Sequence, residues 1–253
     1  MDYVAAGYWG SARVDDGLRA SAARAPQRTA VVDRDRRVTF GELDRLADRA
    51  AALLHGLGVG RGDVVSFQLP NWLEAAVLYH ATARLGAISN PIVPIYRRRE
   101  VGFILEQARS RVLVVPGTFR GFDHQAMADE LCPALPALEH VLVVGEGGSF
   151  GDALAAIPED ATPPPGIERP TSDPVLLLYT SGTESRPKGV LHTHDTLVYE
   201  CASIARLYGV TDADVVFMPS PVTHITGLLY GLQLPLALGA PVVLLDAWSV
   251  PAA

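Results

Sequence analysis

The chain has 253 residues, of which 49% are hydrophobic and 19% are charged, and its formal net charge is −7. This length and composition are ordinary for a globular protein of one or two domains, and the acidic balance argues against a nucleic-acid partner. Cys132 and Cys201 lie far apart without a C-x-x-C pair, so no disulfide framework or cysteine metal site is predicted. The N-terminus has no basic segment followed by an apolar core, so no signal peptide is predicted and a cytoplasmic location is expected.

Strand and helix patterns alternate along the first part of the chain. Apolar residues at helical spacing predict helices, and short apolar or β-branched runs predict strands. Thr39 and Glu42 form a capping-box signal for one helix, and Asn71 is predicted to cap the next, which Gly86 ends. The predicted strands are 29–33, 37–40, 63–69, 111–115 and 140–144. The predicted helices are 15–25, 40–56, 71–86, 98–108 and 123–132.

A proline-rich segment, residues 157–174, follows and is interpreted as a linker. It divides the chain into a first α/β subdomain, residues 1–170, and the incomplete start of a second subdomain, residues 171–253. Beyond it the predicted strands are 175–178, 190–192, 214–218 and 240–245, and the predicted helices are 195–209 and 224–238, the last bent or broken near Pro235. Strand–helix alternation predicts an α/β fold with largely parallel sheets flanked by helices.

One apolar run offers a different interpretation. From Val215 to Leu245 there is no Asp, Glu, Lys or Arg, and this length could span a bilayer. Pro219, Pro221 and Pro235 interrupt the run. We therefore favour a buried strand, helix and strand over a stable membrane span. The membrane alternative predicts that the protein sediments with lipid.

The most informative stretch is residues 175–194, VLLLYTSGTESRPKGVLHTH. The polar residues that directly follow its buried strand are Thr180, Ser181, Gly182 and Thr183. Glycine lets backbone N–H groups approach an anion, hydroxyls donate hydrogen bonds, and a lysine adds a mobile positive charge. Lys188 is the only lysine among 21 Lys and Arg residues, which favours a phosphate-binding loop over a surface turn. The pattern is not Walker A, in which a glycine directly precedes the lysine, because here Gly189 follows it.

Residues 179–190, YTSGTESRPKGV, resemble the signature loop of the adenylate-forming (AMP-binding) superfamily, Y/F-T-S-G-[TS]-[TS]-G-x-P-K-G. Glu184 and Ser185 replace the usual hydroxyl and glycine, which leaves the loop geometry open. The resemblance implies the N-terminal domain fold of acyl-CoA synthetases, a catalytic role for Lys188, and ATP-phosphate contacts from a set of loop residues. Those residues are Thr180, Ser181, Gly182, Thr183, Lys188 and Gly189.

A second segment, residues 218–227, ends a strand and opens a helix with a histidine. Taken alone, His224 is a helix-start residue whose neighbours are backbone groups. The superfamily has a matching P-x-x-H-x-x-G segment, so the resemblance implies that His224 lines the acyl pocket and that Gly227 leaves room for substrate. Apolar neighbours indicate an aliphatic or alicyclic acid. Those neighbours are Ile225, Leu228 and Leu229.

Two further histidines follow the loop. His192 and His194 are spaced to face the same side of a strand, which could suit a metal ion. No carboxylate or cysteine is placed with them, so a structural role is favoured and no metal site is predicted.

The resemblance implies an ATP-dependent carboxylic acid–CoA ligase that adenylates an acid and then forms a thioester, with ATP, Mg²⁺ and coenzyme A. Residues 90–94 and 227–248 look most like acyl-CoA or cyclohexanecarboxylate–CoA ligases. The superfamily's Y-G-x-T-E segment and its second, C-terminal lysine do not occur in these 253 residues. The chain is therefore expected to be an N-terminal part, with a C-terminal half as its missing partner. The alternative is a truncated, catalytically inactive nucleotide-binding remnant or module.

Overall fold

The computed structural model describes residues 2–180 and 187–248. The helices are α1 (Asp16–Arg24), α2 (Phe40–Gly56), α3 (Leu73–Arg84), α4 (Arg98–Ala108), α5 (His124–Leu131), α6 (Ser149–Ala155), α7 (His194–Tyr208), α8 (Ile225–Gly227) and α9 (Leu234–Leu238). The strands are β1 (Thr29–Asp33), β2 (Arg36–Thr39), β3 (Val64–Phe67), β4 (Ile88–Pro91), β5 (Val112–Pro116), β6 (Thr118–Phe119), β7 (Phe122–Asp123), β8 (His140–Val144), β9 (Pro174–Thr180), β10 (Lys188–Thr193), β11 (Val216–Met218) and β12 (Val242–Leu244). A 3₁₀ turn covers Cys132–Ala134, and a π-helical segment covers Leu228–Gln233.

The strands form a six-stranded sheet in the order β10-β9-β4-β3-β5-β8, a four-stranded sheet in the order β11-β12-β1-β2, and the small β6-β7 hairpin. In the two larger sheets neighbouring strands are parallel, except that β10 is antiparallel to β9 and β2 to β1. The α/β fold with largely parallel sheets is therefore confirmed. Both larger sheets contain strands from each side of residue 170. The predicted subdomain division between residues 170 and 171 therefore does not put each sheet in its own subdomain, and it stays a prediction.

Two apolar clusters lie on opposite faces of the six-stranded sheet. In β5, Val112 and Val114 belong to the larger cluster, whereas Leu113 and Val115 belong to the smaller one that α4 and α5 complete. Successive strand side chains point to opposite faces, so a strand with apolar residues at every position is covered on both sides. Helix α3 is also enclosed, because eleven of its twelve residues are buried. Such burial on all sides fits its composition, in which eight of the twelve residues are Leu, Ala, Val or Tyr.

The capping predictions had two outcomes. The capping box of Thr39 and Glu42 is confirmed, because the Thr39 side chain accepts from the Glu42 N–H and the Glu42 carboxylate accepts from the Thr39 N–H. The prediction that Asn71 caps α3 is wrong, because Trp72 occupies the N-cap without a side-chain cap bond. The Asn71 amide bonds instead to backbone groups within residues 218–222.

The apolar run from Val215 to Leu245 forms β11, a helical stretch over 225–238, and β12, as the strand–helix–strand interpretation predicted. Pro235 has no N–H for a bond to the Gly231 carbonyl four residues earlier, and π-helical turns lie directly before α9. Within 2–180 and 187–248, no helix combines the length and apolar character needed to cross a membrane.

Candidate functional site

The predicted phosphate loop connects the two strands of the β9–β10 hairpin. The pairing of the hairpin places Thr180 opposite Lys188, and both residues are exposed. Cβ atoms of directly opposed residues lie about 4.5–5.5 Å apart, so a hydroxyl and an ammonium start from neighbouring backbone positions at the base of the loop. Ser181, Gly182 and Thr183 lie outside the described residues, so their predicted phosphate contacts stay predictions.

The hairpin is anchored by its apolar strand. Residues 175–178 of β9 are buried, and β9 also pairs in parallel with β4 inside the six-stranded sheet. Gly189 on β10 lies where a Cβ would come within 2.9 Å of Leu177 Cδ1. A glycine at this position therefore leaves room for the Leu177 side chain, which is a structural reason for it in addition to the predicted phosphate contact.

His224 occupies the N-cap position of α8 and is exposed. Its backbone N–H donates to Pro221 O at 3.0 Å, and its carbonyl accepts from the Leu228 N–H at 2.9 Å. At Gly227 a Cβ would lie only 2.0 Å from Pro221 O. Chain packing explains this glycine, and its role as room for substrate stays a prediction.

Asn71 holds the segment that leads to His224. The Asn71 Nδ2 donates to Met218 O at 3.1 Å and to Ser220 O at 2.9 Å, and its Oδ1 accepts from the Val222 N–H at 2.8 Å. Asn71 is buried, so these bonds satisfy backbone groups that water does not reach. Sequence reasoning missed this role because the three partners are distant in the sequence.

A cavity of about 340 Å³ lies between α7 and the helical stretch that begins after His224. The residues that line it are His192, Thr196, Leu197, Glu200, Ile225, Thr226, Leu229 and Tyr230. Its volume is at the lower end of the range of about 300–1,000 Å³ that small-molecule sites occupy. Apolar walls with a few polar groups are typical of such sites.

Only some of the residues predicted to line the acid pocket line this cavity. Ile225 and Leu229 line the cavity, whereas Leu228 is fully buried in the core. His224 is not part of the cavity wall, although the two residues that follow it are. Its predicted contact with substrate therefore stays a prediction.

The histidine pair also separates. Burial lowers the pKa of His192, whose ring lines the cavity. His194 opens α7 and is buried, and its Nδ1 accepts a hydrogen bond from the Val14 N–H at 3.2 Å. The two residues therefore do not form the shared strand face that their spacing indicated, because β10 ends at Thr193.

Three polar cavity residues, Thr196, Glu200 and Tyr230, were not predicted from the sequence. Glu200 lies one helical turn after Thr196 on α7, beside the apolar stripe that this helix buries. Its Oε1 accepts a hydrogen bond from the Tyr230 hydroxyl at 3.2 Å. The i, i+4 spacing of Thr196 and Glu200 is a signal for a shared face, but only the fold brings Tyr230 to it.

Comparison with known proteins gives one family and close structural relatives. The AMP-binding enzyme family matches residues 18–253. The salicyl-AMP ligase / salicyl-S-ArCP synthetase of Mycobacterium tuberculosis is 38% identical over 227 residues, which are 88% of this chain and 40% of that protein. The medium-chain fatty-acid–CoA ligase of Escherichia coli is 33% identical over 252 residues, covering 98% of this chain and 44% of that protein.

Among solved structures, the apo structure of Mycobacterium smegmatis MbtA superposes with a TM-score of 0.89 at 38% identity, covering 99% of this chain and 47% of that chain. The chain thus spans less than half the length of each of these three proteins.

Proposed function

The chain belongs to the family of AMP-binding enzymes, and on this premise we propose that it is the N-terminal part of an ATP-dependent carboxylic acid–CoA ligase. One observation carries the proposal: the base of the loop and the cavity wall share a strand. Lys188 begins β10, and His192, four positions later on the same strand, lines the cavity. At about 3.3 Å per residue these positions are about 13 Å apart. The cation proposed to bind phosphate and the cavity proposed to hold the acid therefore share one element, which supports the proposal.

The proposed reaction has two steps. A carboxylate oxygen of the acid attacks the α-phosphorus of ATP, the bond from that phosphorus to the oxygen bridging to the β-phosphate breaks, and pyrophosphate leaves with the electron pair. The thiol sulfur of coenzyme A then attacks the acyl carbonyl carbon, the bond from that carbon to the phosphate oxygen of the adenylate breaks, and AMP leaves with the electron pair while the thiol proton is released. The names of the relatives support the chemistry, since they include an acyl-AMP ligase and a CoA ligase.

Lys188 is proposed to act on the leaving group. Its ammonium would neutralise charge that builds on the β- and γ-phosphates, while Thr180 would donate a hydrogen bond from the opposite strand; such preorganised donors act chiefly on the transition state. Ser181, Gly182, Thr183 and Gly189 are proposed to complete the phosphate contacts. The residues proposed to contact the phosphates are therefore the same six that the sequence predicts.

Mg²⁺ is proposed to arrive with ATP as the counterion of its phosphates. Among the residues with a described position, no group of three or more His, Cys, Asp or Glu side chains is arranged to hold a metal ion. No protein ligand is therefore assigned to it. His224 is proposed to stand between the acid cavity and the entering thiol.

Acid-dependent exchange of labelled pyrophosphate into ATP tests the adenylation step with the polypeptide as it occurs in the cell. We expect exchange that requires both Mg²⁺ and an acid from a panel of short aliphatic, alicyclic and aromatic acids. Formation of acyl-CoA on addition of coenzyme A would support the second step. Transfer of the acyl group only to a carrier-protein thiol would show that a carrier protein, and not coenzyme A, is the acceptor. Micromolar ATP binding by calorimetry without any exchange would contradict the ligase and support a nucleotide-binding module.

A further inference from the structure

Glu200 places a carboxylate on the wall of a cavity that three apolar side chains and four other polar ones also line. It is half-buried on α7, and its Oε1 accepts from the hydroxyl of Tyr230, which comes from the π-helical segment. The bond joins the two elements that enclose the cavity. Leu197, Ile225 and Leu229 give the same space its apolar surface. Glu200 is half-exposed in an open cavity, so a ligand that enters the cavity can reach its carboxylate.

The chemistry of the Glu200–Tyr230 pair decides what a ligand must offer. An ionised carboxylate only accepts hydrogen bonds, through two oxygens. The bond from Tyr230 occupies Oε1. Burial raises the pKa of the Tyr230 phenol, and the neighbouring Glu200 raises it further, so the phenol keeps its proton and acts as the donor. Oε2 keeps acceptor capacity that a ligand with a hydrogen-bond donor can use in place of solvent.

Charge also fixes which way an acid would lie. Glu200 repels a ligand carboxylate, whereas Lys188 lies on the strand that contributes His192 to the same cavity. A carboxylic acid would therefore direct its reacting carboxylate towards β10 and the hairpin, and its other end towards Glu200. Lys188 does not itself line the cavity, so its charge acts on the orientation of the acid and adds little to its affinity.

We propose that Glu200, positioned by Tyr230, selects a compact carboxylic acid that carries a hydrogen-bond donor, best an amino group, at the end remote from its carboxylate. This inference rests on the proposed acid adenylation and assigns its substrate class. Tyr230 is the positioning residue, because it acts on the ligand through the Glu200 carboxylate. The apolar walls hold the skeleton between the two polar ends.

The test compares acids that differ only in the donor. Pyrophosphate exchange is measured with 4-aminobenzoate against 4-methylbenzoate, and with 5-aminopentanoate against hexanoate. In at least one pair, we expect kcat/KM to be about tenfold or more higher for the acid with the amino group than for its methyl analogue, as a hydrogen bond to a charged group provides. Glu200→Leu should abolish or reverse that preference, and Tyr230→Phe should reduce it while exchange persists. The matched control is Glu106→Gln on an exposed position of α4, which should keep the wild-type preference.

The outcomes separate the two claims. Exchange with equal rates for both members of each pair, or an unchanged preference in Glu200→Leu, overturns the selection by Glu200 and leaves the adenylation proposal standing. Absence of exchange with every acid overturns the adenylation proposal and this inference with it. If Glu200→Leu does not fold, as judged by its circular dichroism and melting, Tyr230→Phe decides the question, since it leaves the carboxylate in place. An undiminished preference in that variant contradicts the positioning role.

Discussion

Single side chains fix the backbone around the candidate site, and Asn71 does this most completely. One buried amide bonds to Met218, Ser220 and Val222, so it sets the course of the segment between β11 and His224. An asparagine can serve two carbonyls and an N–H at once because its side chain has both donors and an acceptor. The position of His224 therefore depends on a residue near the start of α3, far away in the sequence.

We expect Asn71→Ala to lower the free energy of unfolding by about 2–4 kcal/mol, because buried carbonyls and an N–H lose their partners. Asn71→Asp has nearly the same volume but replaces the donor with an oxygen that faces two carbonyls. It should be at least as destabilising. Urea denaturation measures both variants. A loss below about 1 kcal/mol in both, judged against typical hydrogen-bond contributions, would show that the amide does not hold this segment.

At the same scale, a local motif in the sequence is enough to predict candidate residues, although their phosphate contacts stay a prediction. Thr180 and Lys188 were identified from one continuous stretch, and the hairpin does place them opposite each other. Glu200 and Tyr230 were not identified, because neither belongs to a recognisable motif. Their contact forms only when α7 packs against the helical stretch after His224. A pair of this kind is a product of tertiary structure.

At the scale of elements, the helical stretch over 225–238 packs closely against its neighbours, and its glycines differ in what an added Cβ would meet. At Gly227 a Cβ would meet the backbone of Pro221 and Ser220, whereas at Gly231 it would come within 2.7 Å of Met218 Cγ. Backbone cannot move without displacing the whole segment, but the flexible Met218 side chain can adjust. Close packing, and not conformational freedom, accounts for glycine at these two positions.

We therefore expect Gly227→Ala to destabilise the protein by about 2–3 kcal/mol, at the upper part of the range for overpacking. Gly231→Ala is the matched control on the same helical stretch and should cost less than Gly227→Ala, because a side chain can shift where backbone cannot. Chemical denaturation of the two variants provides the comparison. Equal effects would contradict the assignment of Gly227 to backbone packing.

Most elements were predictable, but their arrangement was not. Helix α4 and strands β1 and β8 have the predicted bounds, because their apolar periodicity lies between clear end signals. Pattern alone did not predict that β9 pairs with β4 or that β12 pairs with β1. Local spacing contains no information about such distant partners, so it could not predict that both larger sheets take strands from each side of residue 170.

At the scale of the whole molecule, stability includes a buried histidine in the enclosed helix α3. His80 is 1% exposed, and its Nε2 lies 3.3 Å from Leu232 O. Burial lowers the pKa of His80 to about 4, with Arg84 lowering it further and Asp15 opposing this effect. The folded protein thus keeps the imidazole neutral at pH values where an unfolded chain, with a pKa near 6.5, binds a proton.

Stability should accordingly fall as the pH drops below about 6.5, and this loss should end near pH 4, since the unfolded chain binds the additional proton in that range. Between pH 7.5 and pH 5 His80 alone accounts for about 2 kcal/mol. His80→Gln should flatten the pH dependence by that amount, measured by urea denaturation at each pH. His55→Gln, at an exposed position of α2, is the control. An identical slope in His80→Gln and the wild type would contradict the prediction.

Lys188→Ala provides the most direct test of the account, because the proposal assigns this ammonium to the departing pyrophosphate. We expect acid-dependent pyrophosphate exchange to fall by about 10²–10³-fold, as when a preorganised donor is removed from a transition state, while acid binding measured by calorimetry changes little. Arg206→Ala, an exposed position in the last turn of α7, is the control for loss of a positive charge and should retain exchange. Unchanged exchange in Lys188→Ala would contradict the assignment of the hairpin as the phosphate site.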